Sequence, residues 1–407
     1  MKIDTMRAVD YFAGIPLCFL ATVLIRIVNL FTGVKAQRPR KVLFVELSEM
    51  GSAILADPAM RKMQRIGRAE LYFLIFQSNV ASLQLLNTVP EAQIFTIRAD
   101  GILTLAVDSL RFLLWARQQK IDTVIDLELF SRYSALLTGL SGAVNRIGFH
   151  AFHNEGLYRG DMLTHRVAYN PHLHIAKNFI ALVNAALADR EELPFSKTLI
   201  DDNEIRLARA AIHESAIAAM RDRIRGEYPS YDEKRHRIVL INPNASDLLP
   251  QRRWMPDYFV AVMRGLLVDD DVLILITGAP AEREEAEMLK QRVGNERCVN
   301  FAGRQKLEEL PALYWIAEIM LTNDSGPAHF SAVTDLDTFV IFGPETPRLY
   351  GSLGNSTPIY AGLACSPCVS AANHRKTPCT DNVCLQVIRP ETVLEHLCEA
   401  LKKRRSA

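Results

Sequence analysis

Apolar residues fall into two rhythms along this chain. Short unbroken runs at Lys41–Leu47 (KVLFVEL), Leu71–Phe76, Ala92–Ile97 and Thr123–Leu127 have the length and continuous apolarity of strands buried on both faces of a parallel sheet. Between them lie stretches with helical spacing, from about Ala53 to Ile66 and over Leu103–Gln118. The order βαβαβαβ predicts a doubly wound sheet with right-handed crossovers. Around Asp189–Ser230 the chain turns charged and helical, punctuated by Pro194 and Pro229. The first pattern then restarts at Arg237–Ile241 and continues through Val272–Thr277, Val299–Phe301, Ile319–Thr322 and Thr338–Phe342. Helices are expected between these strands at Asp257–Leu267, Ala281–Val293 and Leu307–Ala317.

This predicts an α/β chain of two Rossmann-like domains facing a central cleft, with ligand at the carboxyl ends of the strands. The expected layout is an N-terminal helix over residues 1–38 and a first domain over 39–190. An interdomain region follows over 191–236, a second domain over 237–390, and a closing helix over 391–407 that packs back across the halves.

The N-terminus breaks both rhythms. Tyr11–Ile25 carries no charge, and its uncharged run is short of the ~20 residues that span a bilayer. Thr22, Arg26, Asn29 and Gly33 recur on one helical face, drawing a polar stripe along an apolar helix. Lys35, Arg38, Arg40 and Lys41 follow as a basic cluster suited to anionic headgroups. The expectation is a helix lying in the membrane interface, with the body cytoplasmic and peripheral on the inner membrane. A signal peptide fits less well, because the basic residues lie on the wrong side and no small-x-small cleavage site follows. A helix packed on the protein's own surface is the plain alternative.

Composition narrows the chemistry. With 47 Lys and Arg against 46 Asp and Glu, the net charge of +1 supplies no global field for nucleic acid. An anionic ligand therefore needs a local site. Asn323-Asp324-Ser325-Gly326-Pro327-Ala328-His329-Phe330 follows a strand directly: Asp324 or Ser325 suits a helix cap, Pro327 the first helical turn, and Gly326 a close ligand approach. Asn242-Pro243-Asn244-Ala245-Ser246 leaves another strand and runs toward Arg252-Arg253, offering hydrogen bonds and fixed charge to phosphate oxygens. Gly278-Ala279-Pro280 with Glu282 ends a third strand, where a carboxylate can meet ribose hydroxyls. A capped helix, a solvated basic loop and a first-turn glutamate explain each segment taken alone. No P-loop or GxGxxG spacing is present.

Taken together and in order, Gly51, Asn242–Ser246 with Arg252, Gly278–Glu282, Asn323–Phe330 and Phe342-Gly343-Pro344 resemble the heptosyltransferase family, the family nine glycosyltransferases of lipopolysaccharide core assembly. The resemblance runs from about Lys41 to Leu401. It implies a GT-B fold, a nucleotide-diphosphate sugar donor (ADP-heptose-like) in the second domain, and a lipid-linked glycan acceptor gripped by the first. It also implies metal-independent transfer with inversion. Asn244, Ser246, Glu282, Asp324, Ser325, Gly326 and His329 match the donor-binding positions, Arg252 sits where the family commonly has a lysine, and Arg253 beside it is counted with the donor-binding residues. Ser52 stands where the family carries an aspartate thought to be the general base. A hydroxyl cannot take that role at neutral pH, so Glu49, with Asp57 one turn further on, is the expected replacement.

On the acceptor side Gly51, Ser52, Arg132 and Arg159 are favoured from a group that includes Asp126, Glu128, Arg146, His150, His153, Tyr158, His165 and Arg166. Two other readings stay open: a catalytically silent binding partner of a glycan assembly complex, and a nucleotide-sugar epimerase. The amphipathic N-terminus speaks against the epimerase.

Four of the seven cysteines, Cys365, Cys368, Cys379 and Cys384, sit close together near the end. They could complete a tetrahedral structural zinc site with His374 as a spare ligand, or remain unligated thiols. No cofactor is expected for catalysis itself.

Overall fold

The computed structural model describes residues 3–32, 37–47, 49–129, 131–153, 157–246, 249–370, 373 and 375–405. Of the positions named above, Gly33, Lys35 and His374 lie outside these. The chain divides into two compact units, Met1–Arg206 on one side and Leu207–Ser370 with Arg375–Ala407 on the other. The division falls inside the charged stretch that the sequence marks as interdomain.

The first unit begins with α1 (Ile3–Phe12) and α2 (Gly14–Thr32). Its strands are β1 (Lys41–Val45), β2 (Glu70–Phe76), β3 (Ile94–Ile97), β4 (Thr123–Asp126), β5 (Asn145–Phe149) and β6 (His165–Val167). The helices between them are α3 (Met50–Leu55), α4 (Asp57–Lys62), α5 (Ala81–Leu86), α6 (Ile102–Gln118) and α7 (Arg132–Leu140), with α8 (Ile175–Leu187) after the last strand. The six strands are all parallel in the order β3-β2-β1-β4-β5-β6. Leu43, Val45, Leu74, Val124 and Phe112 form one core layer, fully or almost fully shielded from solvent.

The second unit repeats the plan. It holds α9 (Glu214–Glu227), β7 (Arg237–Asn242), α10 (Pro256–Leu266), β8 (Val272–Ile276), α11 (Arg283–Val293), β9 (Cys298–Asn300) and α12 (Leu310–Ile316). Then come β10 (Ala317–Asn323), α13 (Gly326–Ser331), β11 (Asp337–Phe342), α14 (Pro347–Tyr350), β12 (Ser356–Tyr360), α15 (Val383–Gln386) and α16 (Pro390–Arg405). Strand order is β12-β11-β10-β7-β8-β9, the same winding as the first sheet when each is counted from its own first strand. Val393, Leu397 and Leu401 of α16 sit in the core of this unit, so the closing helix completes the second sheet's own packing.

Three strands escaped the sequence pattern: β5 (NRIGF), β6 (HRV) and β12 (STPIY) carry Arg, His, Gly or Pro and lie toward or at sheet edges. Each sheet reverses its strand order once, between β1 and β4 and between β7 and β10. That reversal opens a crevice at the strands' carboxyl ends, the usual ligand position in such sheets.

The N-terminal helix departs from expectation in an informative way. Its inward face is Gly14, Cys18, Ala21, Thr22 and Ile25, which pack against α7 and the Asp161 loop. Gly160, at φ +75, comes so close to Cys18 and Thr22 that an added Cβ would lie 2.7 Å from Thr22 Oγ1. Thr22 is therefore buried rather than part of a wetted stripe, and Arg26 pairs with Asp161 at 2.7 Å. Leu17, Phe19, Leu20, Val23, Leu24, Ile27, Val28, Leu30 and Phe31 point outward and are exposed. By length and composition Gly14–Phe31 is sufficient to cross a membrane.

Candidate active site

In the second unit, Asn323 is the hub. Its Oδ1 accepts the Trp254 N–H at 3.1 Å, and its Nδ2 donates to the Pro243 carbonyl at 2.7 Å. This one buried amide draws the turn after β7 and the Arg252–Trp254 turn to the end of β10. Asn242 does the same toward β8, donating to the Thr277 carbonyl at 3.2 Å. Ser325 stands at the N-cap position of the short α13 without a side-chain capping bond, and its hydroxyl donates to the Asn323 carbonyl at 3.2 Å. The loops predicted to converge do converge: Asn244, Arg252, Asp324, Ser325 and His329 are all buried around this crevice.

Charge inside it is unusual. Arg252 Nη1 lies 3.8 Å from Asp324 Oδ2 and 3.9 Å from Glu345 Oε2, too far for direct hydrogen bonds. Its Nε is buried without an acceptor among the described residues. A fixed cation thus sits out of water with its donors incompletely used, the state expected of a group that meets an anionic ligand.

Glu345, in contrast, is fully engaged. Arg375 grips it bidentately at 2.6 and 2.9 Å while resting 5.0 Å above the Tyr350 ring. Burial and the Glu345 carboxylate push Asp324 up to about 8, with Arg252 opposing. Burial disfavours ionised Glu345 too, but Arg375 and Arg252 outweigh it and hold its pKa below the usual range. At neutral pH the pair therefore carries one negative charge between two guanidiniums.

Glu282 accepts the Ala279 N–H at 2.6 Å and sits beside Asn244. A Cβ on Gly278 would fall 2.8 Å from Glu282 Oε2 and 2.9 Å from Asn244 Nδ2, so glycine is what permits that approach. Burial raises the Glu282 pKa. Arg253 departs from the donor-binding expectation: its Nε and Nη2 both donate to the Ala245 carbonyl, at 3.0 and 2.7 Å, which fixes the loop. Ser246 is exposed at the loop's rim.

The first unit's crevice gathers carboxylates. Glu46 and Glu49 follow β1, and Asp126 and Glu128 end β4. Leu47 N–H donates to Glu128 Oε1 at 2.9 Å, and Glu128 N–H to Asp126 Oδ1 at 3.1 Å. Burial, then Glu128 and Glu49, raises Glu46 well above the ordinary carboxylate range. Glu49 stands at the N-cap of α3, half-buried, with the Ser52 hydroxyl 3.5 Å from its Oε2 and Gly51 within the same turn. Asp57 does not join this group. It is fully buried and held by Arg61 at 2.9 Å and the Thr88 hydroxyl at 2.5 Å, a structural anchor rather than a base.

Two predicted acceptor contacts are also spent on the fold. Arg159 donates to Asp126, to the Ser131 carbonyl at 2.9 Å and to the Glu128 carbonyl at 2.6 Å. Arg132 donates to Asp10 and to the Tyr158 carbonyl, and Asp10 Oδ1 accepts the Arg132 and Tyr133 N–H groups at 2.9 and 3.0 Å. Arg146 is buried against the Met162 and Ala143 carbonyls.

The cysteine loop buttresses the second crevice. Cys368 and Val369 N–H donate to the Pro344 carbonyl at 3.0 and 3.2 Å, and Asn382 donates to the Gln251 carbonyl at 3.0 Å. Cys384 is raised by burial and by the proximity of Cys368, Cys379 and Cys365. Among the described residues, however, no three His, Cys, Asp or Glu side chains converge to hold a metal. Glu345 and Arg375 went unnoticed in the sequence; the acidic residue directly after Gly343-Pro344 was the available signal.

Comparison with known proteins places these features in context. Residues 111–377 match the model of glycosyltransferase family 9 (heptosyltransferase). The chain is 29% identical over 171 residues to lipooligosaccharide heptosyltransferase 2 of Campylobacter jejuni, covering 41% of this chain and 51% of that one. It thus spans about half the length of these curated relatives. Escherichia coli ADP-heptose lps heptosyltransferase II shares the fold at a TM-score of 0.68 and 17% identity, over 90% of this chain and 99% of that one. Escherichia coli heptosyltransferase WaaC with ADP does so at 0.59 and 16%, over 88% and 99%.

Proposed function

The chain belongs to glycosyltransferase family 9, and from that premise we propose that it moves a heptose-like sugar from a nucleoside-diphosphate donor to a lipopolysaccharide-core or other envelope glycan acceptor. The observation that carries this reading is Arg252, buried and incompletely paired at the strand-order reversal of the second sheet. In this reading the diphosphate lies against Arg252, Asn244, Ser246 and the Ser325 turn, and Glu282 takes the ribose. A solved structural relative holds ADP, the ligand class this reading calls for.

The acceptor hydroxyl attacks the anomeric carbon from the face opposite the leaving group, forming the new C–O bond with inversion. The C–O bond to the diphosphate breaks, and its electron pair leaves with the nucleoside diphosphate. Glu49 takes the hydroxyl proton. Arg252 stabilises the developing charge on the leaving group, work that needs no metal. Attachment is peripheral, on the cytoplasmic face of the inner membrane, through the outward apolar face of α2.

The deciding experiment is a thermal-shift screen against ADP, UDP and GDP and their sugars, followed by transfer assays with a truncated-core lipopolysaccharide acceptor. A nucleotide-dependent shift with turnover supports the reading. A shift without turnover favours the second one, a silent nucleotide-sugar binder, which Ser52 at the expected base position supports. No shift with any nucleotide would sink both.

A further inference from the structure

Helix α6 carries an apolar stripe that the fold leaves uncovered. Asp108, Phe112 and Ala116 point into the first unit's core. On the opposite face Leu103 is 83% exposed, Leu110 64% and Leu114 61%, with Ile102 and Val107 exposed beside them. Spaced at i, i+4, i+7 and i+11 from Leu103, these residues form a continuous ridge where a helix facing water would be polar.

The ridge is not isolated. Helix α7 packs against α1, α2 and α6 in turn. Tyr133 of α7 meets Ser109 of α6 through a 2.6 Å hydroxyl contact, and Met6 of α1 packs on the core that Leu105 and Leu113 of α6 also cover. Helices α2 and α6 therefore share α7 as a support. Their charges agree in sign. Among the described side chains of α1, α2 and α6, the exposed charged ones are Arg7, Arg26, Arg111 and Arg117. Asp108 is turned inward onto Arg98, and Asp10 onto Arg132.

We infer that α6 is a second membrane-seating element: its Leu103, Val107, Leu110 and Leu114 ridge enters the acyl boundary of an anionic bilayer alongside α2, with the arginines at headgroup level. This rests on the proposed attachment through α2 and extends it. Two inserted helices fix the rotation of the first unit on the surface, which a single helix leaves free. An apolar ridge with arginines and no exposed carboxylate among the described side chains of these helices suits anionic lipid better than a second copy, whose matching arginines would repel.

The test uses the full chain with vesicles of phosphatidylethanolamine and phosphatidylglycerol carrying brominated acyl chains. Leu110→Trp and Leu24→Trp each add one indole at an exposed position. Bromine quenching of both, beyond that of the native tryptophans, supports the inference. Quenching at 24 but not at 110 overturns it and leaves attachment through α2 standing. Quenching at neither overturns the attachment itself.

In a second arm, Leu103→Gln with Leu110→Gln and Leu114→Gln should keep the native thermal melt and lower vesicle partitioning on the order of 100-fold. Unchanged partitioning, or a shift from dimer to monomer in sedimentation with partitioning intact, would overturn the inference in favour of a copy-to-copy interface.

Discussion

The two sheets share one strand order and one site of reversal, yet the crevices at those reversals are chemical opposites. The first gathers Glu46, Glu49, Asp126 and Glu128, and its Arg159 spends its donors on Asp126 and on the Ser131 and Glu128 carbonyls. The second has Arg252 and Arg375 against Asp324 and Glu345, and Arg252 keeps donors in reserve. Topology decides where a crevice opens; the few residues after each strand decide what it can hold. A paired arginine is framework and an underused one is equipment.

Four experiments can break or sharpen this contrast. Glu49→Gln should leave nucleotide binding unchanged and lower transfer by about 10²–10⁴, the usual worth of a general base, in a turnover assay. Full activity would return the proton to another group. Arg159→Met should cost stability, about 3–5 kcal/mol, because it leaves Asp126 buried without its partner. A chemical-denaturation midpoint close to wild type would erase the distinction between the two arginines.

Arg252→Met is expected to behave the other way. Fold stability changes less than in Arg159→Met, while ADP affinity measured by calorimetry falls by about 10–100-fold, the loss of one or two charge-assisted hydrogen bonds. The smallest effect is a pH dependence. Asp324, raised to about 8, is neutral below that value and gains a charge as pH rises through it, next to the proposed diphosphate. Nucleotide affinity should therefore hold steady up to about pH 8 and then weaken, by no more than about tenfold per pH unit. Asp324→Asn should flatten that decline.

Much of this architecture was legible because buried parallel strands leave a plain signature. KVLFV, VLILI and RIVLI have almost no other reading, and helices fill the gaps between them. Strands bearing Arg, Gly, His or Pro went unread, since their apolar content is diluted where the sheet meets its edges. At the site, Asp324, Ser325 and Arg252 could be placed because they follow strands directly. Glu345 and Arg375 form one bidentate pair across 30 positions, and nothing local to either predicts the other.

Arg132, Arg159, Arg253 and Asp57 share one feature that is not written in the sequence. Sequence shows that a charge is present but not whether the fold has already satisfied it. Each of these bonds a carbonyl, a carboxylate or a guanidinium within the fold.

Asp10 has a further meaning. From the first helix it holds the opening N–H groups of α7, and in the same turn Ser134 donates its hydroxyl to Asp126 in the carboxylate crevice, at 3.2 Å. The greasy leading segment is therefore wired into the working parts rather than tied on like a tether. Cutting it away to ease purification would leave Ser131 to cap α7 alone and strip the Arg132 and Tyr133 N–H groups of their acceptor, so a shortened protein is expected to report on a loosened crevice rather than the native one.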